Sequence, residues 1–382
     1  MSSAALARYH ATLAGLERRS RIRALAPQKG IDFTSNDYLG LANSPRLSAA
    51  ISAAIERGVP VGAGGSRLLR GNHPEHEALE AEAAAFFGLE KVLYFGSGFA
   101  ANAALFSTLP QRDDLIVHDA LIHASAHDGI AASKAEAVAV THDNVEAFDL
   151  AIRRWRAKGG KGHPWIAVES LYSMDGDQAP LLELADLADR HDGFLVVDEA
   201  HATGVFGPGG RGLASGLEKR GNVLMLHTCG KALGVSGALL GLPATLADFL
   251  VNRARSFIYS TAPSPLMAAG VREALRVIAD EPKRRMRLKG LTTFAAGHLR
   301  LLLGINPSGS QILPVIIGDN ARSLRIAEQL RIAGGFDIRA IRPPTVPDGT
   351  ARLRISITLN VDEEQIADMI ECLAIAMEED SL

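Results

Sequence analysis

Three segments of the 382-residue chain place reactive side-chain types directly after runs of apolar residues. Asp198-Glu199-Ala200-His201 follows the run 194–197, so a carboxylate emerges at the carboxyl end of an expected strand, the edge where open α/β sheets take their ligands. Lys231, 33 residues further on, lies in Thr228-Cys229-Gly230-Lys231 after the apolar run 223–227 and leads into the small-residue stretch 232–238. An amine in such an apolar, glycine-rich setting loses hydration, which lowers its pKa and favours the neutral nucleophile; a solvated surface lysine is the other reading. In the third segment, Gly96-Ser97-Gly98-Phe99-Ala100-Ala101-Asn102, glycines follow the β-rich run 91–95 and give way to small helix formers. Exposed N–H groups and a helix N-terminus meet there, which suits a phosphate, although a tight turn without a ligand has the same pattern.

Other chemistries fail on spacing or composition. No G-x-x-x-x-G-K-[ST] accompanies Asp198-Glu199: segments 159–163 and 229–232 both miss it, which removes a nucleotide hydrolase. His118, His123 and His127 crowd around Asp119 without forming HExxH, and His73-Pro74-Glu75-His76 misses that pattern too, so no metal is assigned. Cys229 and Cys372 are far apart, which leaves no disulfide framework and no cysteine zinc site. The 40 Lys+Arg and 43 Asp+Glu leave a net charge of -3 without a run of like charges, so no nucleic-acid footprint is expected. Apolar residues at 47% and charged residues at 22% are those of a globular chain. No stretch approaches the ~18 uncharged apolar residues of a membrane span. Arg8, Glu17, Arg18, Arg19, Arg21 and Arg23 interrupt any apolar signal-peptide core, and the chain is expected in the cytoplasm. A transit peptide is the minor reading of this Arg-rich start, which is short, poor in Ser, and runs directly into 31–33, a strand by its composition.

The elements that must position these residues are those of an α/β sheet with crossover helices. Strands are expected at 91–95, 166–169, 194–197, 223–227 and 237–240, in a mostly parallel, buried sheet. His73-Pro74-Glu75 opens a helix that turns Leu79, Ala83, Phe86 and Phe87 inward and Glu77, Glu80 and Glu82 to water, until Gly88 stops it. After Arg276 the pattern changes to a charged connector, 281–285, and then to alternating helices and strands. The expected organisation is an N-terminal arm, 1–38, a large domain, 39–276, and a small α+β domain, 277–382.

Combined, the segments are more specific than any alone. With Ser35-Asn36-Asp37-Tyr38-Leu39-Gly40-Leu41, Gly64-Gly65-Ser66-Arg67, Gly71-Asn72-His73, His123-Ala124-Ser125, Glu169, Tyr172-Ser173-Met174-Asp175-Gly176-Asp177 and Tyr259-Ser260-Thr261, the chain resembles the α-oxoamine synthases along nearly its whole length. These are pyridoxal-phosphate enzymes of the aspartate-aminotransferase fold, fold type I, with a large domain around a mostly parallel sheet and a smaller α+β domain. The resemblance implies that Lys231 holds pyridoxal phosphate as a Schiff base and later takes the substrate's α-proton. It implies Asp198 at the pyridinium nitrogen, His201 at the ring hydroxyl and His123 stacked on the ring. Gly98 and Phe99 would cradle the cofactor, with hydroxyl contacts from Ser173 and Thr228, and Thr261 would reach the phosphate from the second subunit of a homodimer.

For substrates it implies Arg342 at the amino-acid carboxylate, Asn36, His123 and Thr345 around the acyl-bearing species, and Arg23, with Arg21 as the alternative, at the acyl substrate. The segment 341–347 with its paired prolines, leading to 349–354, resembles the members that condense L-alanine with a pimeloyl thioester of coenzyme A or acyl carrier protein. Siblings join other pairs, such as glycine and acetyl-CoA. Three positions depart from the family pattern: Ala202, Ser170 where glycine is usual, and Cys229, which is expected to make the site sensitive to thiol reagents.

Overall fold

Seven short apolar runs pair into one sheet in the computed structural model, which describes residues 4–25 and 27–380. In chain order they are β1 (Lys91–Phe95), β2 (Leu115–Asp119), β3 (Glu136–Val140), β4 (Pro164–Glu169), β5 (Phe194–Asp198), β6 (Val223–Thr228) and β7 (Ala238–Leu242). Their order across the sheet is β1-β7-β6-β5-β4-β2-β3, and β7 alone runs against its neighbours. The sheet is thus mostly parallel, and all its strands but the largely exposed edge strand β3 are buried, as hydrophobic runs in such a sheet should be. Parallel strands end on one edge, so Asp119, Glu169, Asp198 and Thr228 all sit there.

The larger of two units holds this sheet and spans Asn36–Ser173 and Asp177–Met286. Helix α1 (Pro74–Phe87) begins where His73 Nδ1 accepts the Glu75 N–H and ends at Gly88, whose φ of 73° is left-handed. Its acidic face is not all in water. Glu80 pairs with Arg67 at 2.8 Å and accepts the Tyr94 N–H, while Glu82 pairs with Arg272. Helix α2 (Gly98–Thr108) is capped by Ser97 Oγ, which accepts the Ala100 N–H at 3.1 Å. Helix α3 (Ala124–Ala131) packs on α2 through Gly129, where a Cβ would lie 2.7 Å from the Asn102 carbonyl oxygen and 3.1 Å from Phe106 Cβ. Leu105, Phe106, Ile116, Leu224 and Leu240 fill the core that α2 shares with the sheet.

The smaller unit gathers the residues up to Ser35, Met174–Gly176 and those from Arg287 onwards. Its antiparallel sheet has β8 (Ile312–Gly318), β9 (Arg339–Ile341) and, between them, β10 (Ala351–Ser356). Helices α4 (Asn320–Ala333) and α5 (Glu363–Glu379) accompany it, the second opened by a capping box of Asp362 and Gln365. Ile31–Asp32 pairs in parallel with Phe336–Asp337, which holds the leader to this unit. Among the described residues no helix is long and apolar enough to cross a membrane.

Candidate active site

Glu169 and Asp198 end adjacent strands in register, so two carboxylates stand side by side at the carboxyl edge of the sheet. Burial, reinforced by the charge of Asp198 and partly offset by Lys231, pushes Glu169 up to about 8. Its Oε2 accepts the Ser173 N–H at 3.0 Å, and its Oε1 is buried without a hydrogen-bond partner.

A cavity of about 370 Å³ opens over these groups. Of the residues expected to hold a cofactor, Gly98, Phe99, His123, Asp198, His201, Thr228 and Lys231 line it, and Asn36 joins them. Ser173 lies behind Glu169 and off the cavity wall. Thr261 does not line the cavity of its own chain; it is exposed and bridged to Ser66. Gly98 opens α2 against the end of β6, where a Cβ would lie 2.7 Å from Thr228 Cγ2. That glycine keeps the cradle at the helix N-terminus clear for an anion.

Asp198 accepts from two sides: the Ala200 N–H reaches Oδ1 at 3.0 Å and Asn102 Nδ2 reaches Oδ2 at 3.0 Å. Asn102 Nδ2 also donates to Ser125 Oγ at 2.9 Å, and Ser125 Oγ lies 2.7 Å from His123 Nδ1. Burial, with the charges of Lys231 and His127, lowers the His123 pKa against the opposing pull of Asp198. Asn102 and Ser125 were not among the expected site residues. The available signal was an amide on the buried face of an alanine-rich helix, 2% exposed.

On the other flank, Tyr38 Oη donates to Asn36 Oδ1 at 3.0 Å and lies 2.6 Å from His201 Nδ1. The phenol has one proton, so His201 Nδ1 donates to the phenol oxygen and Nε2 becomes an acceptor, the state that suits a ring hydroxyl. Beneath, Glu199 is buried and pushed up to about 7 by desolvation, which donated N–H bonds partly offset. Its Oε2 takes Ser170 Oγ at 2.9 Å and the Leu213 N–H at 3.0 Å, so the serine in place of glycine satisfies a buried carboxylate. Cys229 is 0% exposed, and burial raises its thiol, so it stays protonated and out of reach. The expected sensitivity to thiol reagents is therefore corrected: next to Lys231 in sequence, Cys229 is a core residue.

The other expected substrate residues belong to the smaller unit. Arg23 Nη2 donates to Thr345 Oγ1 at 3.2 Å, and Arg342 donates to the Ser20 and Ile22 carbonyls. Arg21 pairs instead with Asp348. Burial and the nearby charge of Arg23 lower the Arg342 guanidinium pKa, and the Nε atoms of Arg21 and Arg342 are buried without partners.

Comparison with known proteins agrees with this geometry. A family model for class I and II aminotransferases matches residues 28–373. An 8-amino-7-oxononanoate synthase of Anaeromyxobacter dehalogenans is 45% identical over 90% of this chain and 85% of that protein. One from Chromobacterium violaceum is 40% identical over 90% of this chain and 88% of that protein. A serine palmitoyltransferase of S. paucimobilis with bound PLP superposes with a TM-score of 0.89, at 26% identity over 99% of this chain and 98% of that one. The 8-amino-7-oxononanoate synthase of Francisella tularensis superposes at 0.76, with 27% identity over 92% and 99%. The cradle at Gly98, the lysine and the doubly held Asp198 carboxylate fit pyridoxal phosphate, which is the cofactor of this fold type I enzyme. The chain belongs to the class I and II aminotransferase family and, within it, to the 8-amino-7-oxononanoate synthases.

Proposed function

We propose that this chain condenses L-alanine with a pimeloyl thioester, carried by coenzyme A or acyl carrier protein, to give 8-amino-7-oxononanoate for biotin synthesis in the cytoplasm. Atoms balance: the new bond joins alanine Cα to the acyl carbon, the C–S bond breaks, the thiolate takes up the equivalent of the α-proton to leave as free thiol, the alanine carboxylate leaves as CO2, and Cα takes one further proton from water. The observation that carries this reading is the gathering of Lys231, Asp198, His123 and His201 around one cavity. When bound, pyridoxal phosphate supplies the electron sink for the pair left on Cα.

The chain's own residues do the rest. Lys231 Nζ removes the α-proton. The Asp198 carboxylate, fixed by Ala200 and Asn102, would hold the ring nitrogen and favour its protonated form. His201 Nε2 would accept from the ring hydroxyl, His123 would stack on the ring and Thr228 would add a polar contact, while Ser173, off the cavity wall, would act only through Glu169. The N-terminus of α2 at Gly98 and Phe99 receives the phosphate. Arg342 takes the amino-acid carboxylate and Arg23, beside Thr345, the acyl substrate; both exchange their present partners for ligand. A second copy of the chain supplies Thr261 to the phosphate, which makes the working unit a homodimer.

The test is to add L-alanine or glycine to the holoenzyme with pimeloyl-CoA and follow free thiol alongside the visible cofactor band. Alanine is expected to shift the band and release thiol, and Lys231→Ala to lose the wild-type band. Thiol release with glycine and acetyl-CoA but not with alanine would replace this substrate pair by the sibling one.

A further inference from the structure

Ser125 has no role in the scheme above and Asn102 has only its hold on Asp198, yet both are buried and both touch groups that act there. They lie 23 residues apart, and Asn102 is 96 residues from Asp198, so only the fold unites them. The directions of their hydrogen bonds follow from counting protons. An ionised carboxylate only accepts, so the Asn102 amide nitrogen faces Asp198 Oδ2. The second amide hydrogen goes to Ser125 Oγ at 2.9 Å. Ser125 is buried, and its hydroxyl hydrogen finds its acceptor, among the described residues, at His123 Nδ1, 2.7 Å away. The Ser125 backbone N–H reaches the same nitrogen at 3.2 Å. Two donors aimed at Nδ1 make it an acceptor, which leaves the proton of the neutral imidazole on Nε2.

We propose that Asn102 is the positioning residue of this site: through Ser125 it sets His123 as the Nε2–H tautomer, and with the same amide it stops the Asp198 carboxylate from rotating. One side chain thereby orients a group on the cofactor face and a group at its ring nitrogen. The consequence for the cofactor rests on the function proposed above, whereas the proton placement on His123 does not.

The test uses full-length holoenzyme labelled with 15N-histidine, with His123→Gln to assign the His123 signal, and compares Asn102→Ala and Ser125→Ala. At mildly alkaline pH the wild-type ring is expected to carry its hydrogen on Nε2 alone. In both variants the ring should divide between the two tautomers. Cofactor retention, measured by equilibrium dialysis, should weaken about tenfold in Asn102→Ala, because a bond to a charged group is lost, and less in Ser125→Ala, which leaves Asp198 its amide. A wild-type His123 protonated on Nδ1, or variants that keep one tautomer and wild-type retention, would overturn the proposal. Should Asn102→Ala fail to fold, the tautomer in Ser125→Ala decides. A wild-type protein without a visible cofactor band would remove the proposed function, and the tautomer measurement would still decide the role of Asn102.

Discussion

Tyr38 links a cofactor residue to a substrate residue with a single hydroxyl, between His201 Nδ1 and Asn36 Oδ1. Tyr38→Phe keeps the ring and removes only that link. Two polar groups then lose a partner, so the variant should lose about 1–3 kcal/mol in denaturant unfolding. With the His201 tautomer released, kcat should fall about tenfold, which corresponds to roughly 1.4 kcal/mol of transition-state stabilisation. An unchanged kcat with the stability loss alone would reduce Tyr38 to packing. The buried pair of Ser170 and Glu199 shows how a departure from a family pattern is absorbed: the hydroxyl appears where a carboxylate needs a donor.

His142 follows β3 and bonds Asp119, at the end of β2, through Nδ1 at 2.9 Å and Asp177, beyond β4, through Nε2 at 2.7 Å. Hydrogen bonds to Asp119 first and Asp177 second push His142 up to about 10. A group raised in the folded state stabilises fully below its unfolded value of 6.5, and that stability is lost as pH rises through about 10. His142→Gln should therefore melt lower than wild type at neutral pH, and the difference in Tm should close as pH climbs past that point. A gap that stays constant with pH would mean the contact is not ionic. Neither β2 nor β3 was expected from the sequence. β2 ends in His118-Asp119, which reads as polar, and β3 alternates Ala with Val and lies at the sheet edge, so its pattern carries little hydrophobic contrast. Strands 91–95 and 194–197 were legible because each ends directly in chemistry or glycine.

For the whole molecule, the loop carrying Val61, Leu68 and Leu69 is tied to the segment of Tyr259 and Thr261 by the Ser66 bridge, the Ala262 N–H to the Gly65 carbonyl, and Ser264 Oγ to the Val61 carbonyl. Leu69 is 81% exposed and Tyr259 73%, a grouping of apolar side chains that points to a covering partner. Light scattering should give twice the mass of one chain, and Leu69→Asp should shift it toward one chain with weaker cofactor retention. A wild-type protein of single-chain mass would remove the homodimer and the shared Thr261. Lys231, Asp198, His201 and Gly98 could be read from sequence because each adjoins a strand end. The Asn102 link could not, since its partners are distant in the chain: Asp198 ends a strand, and Ser125 comes within reach where Gly129 lets two helices close on each other. The burial of Cys229 has a practical side: of the two cysteines, only Cys372 on α5 is partly accessible. A maleimide dye would therefore mark the native chain once, in the smaller unit, while cofactor absorbance reports from the larger.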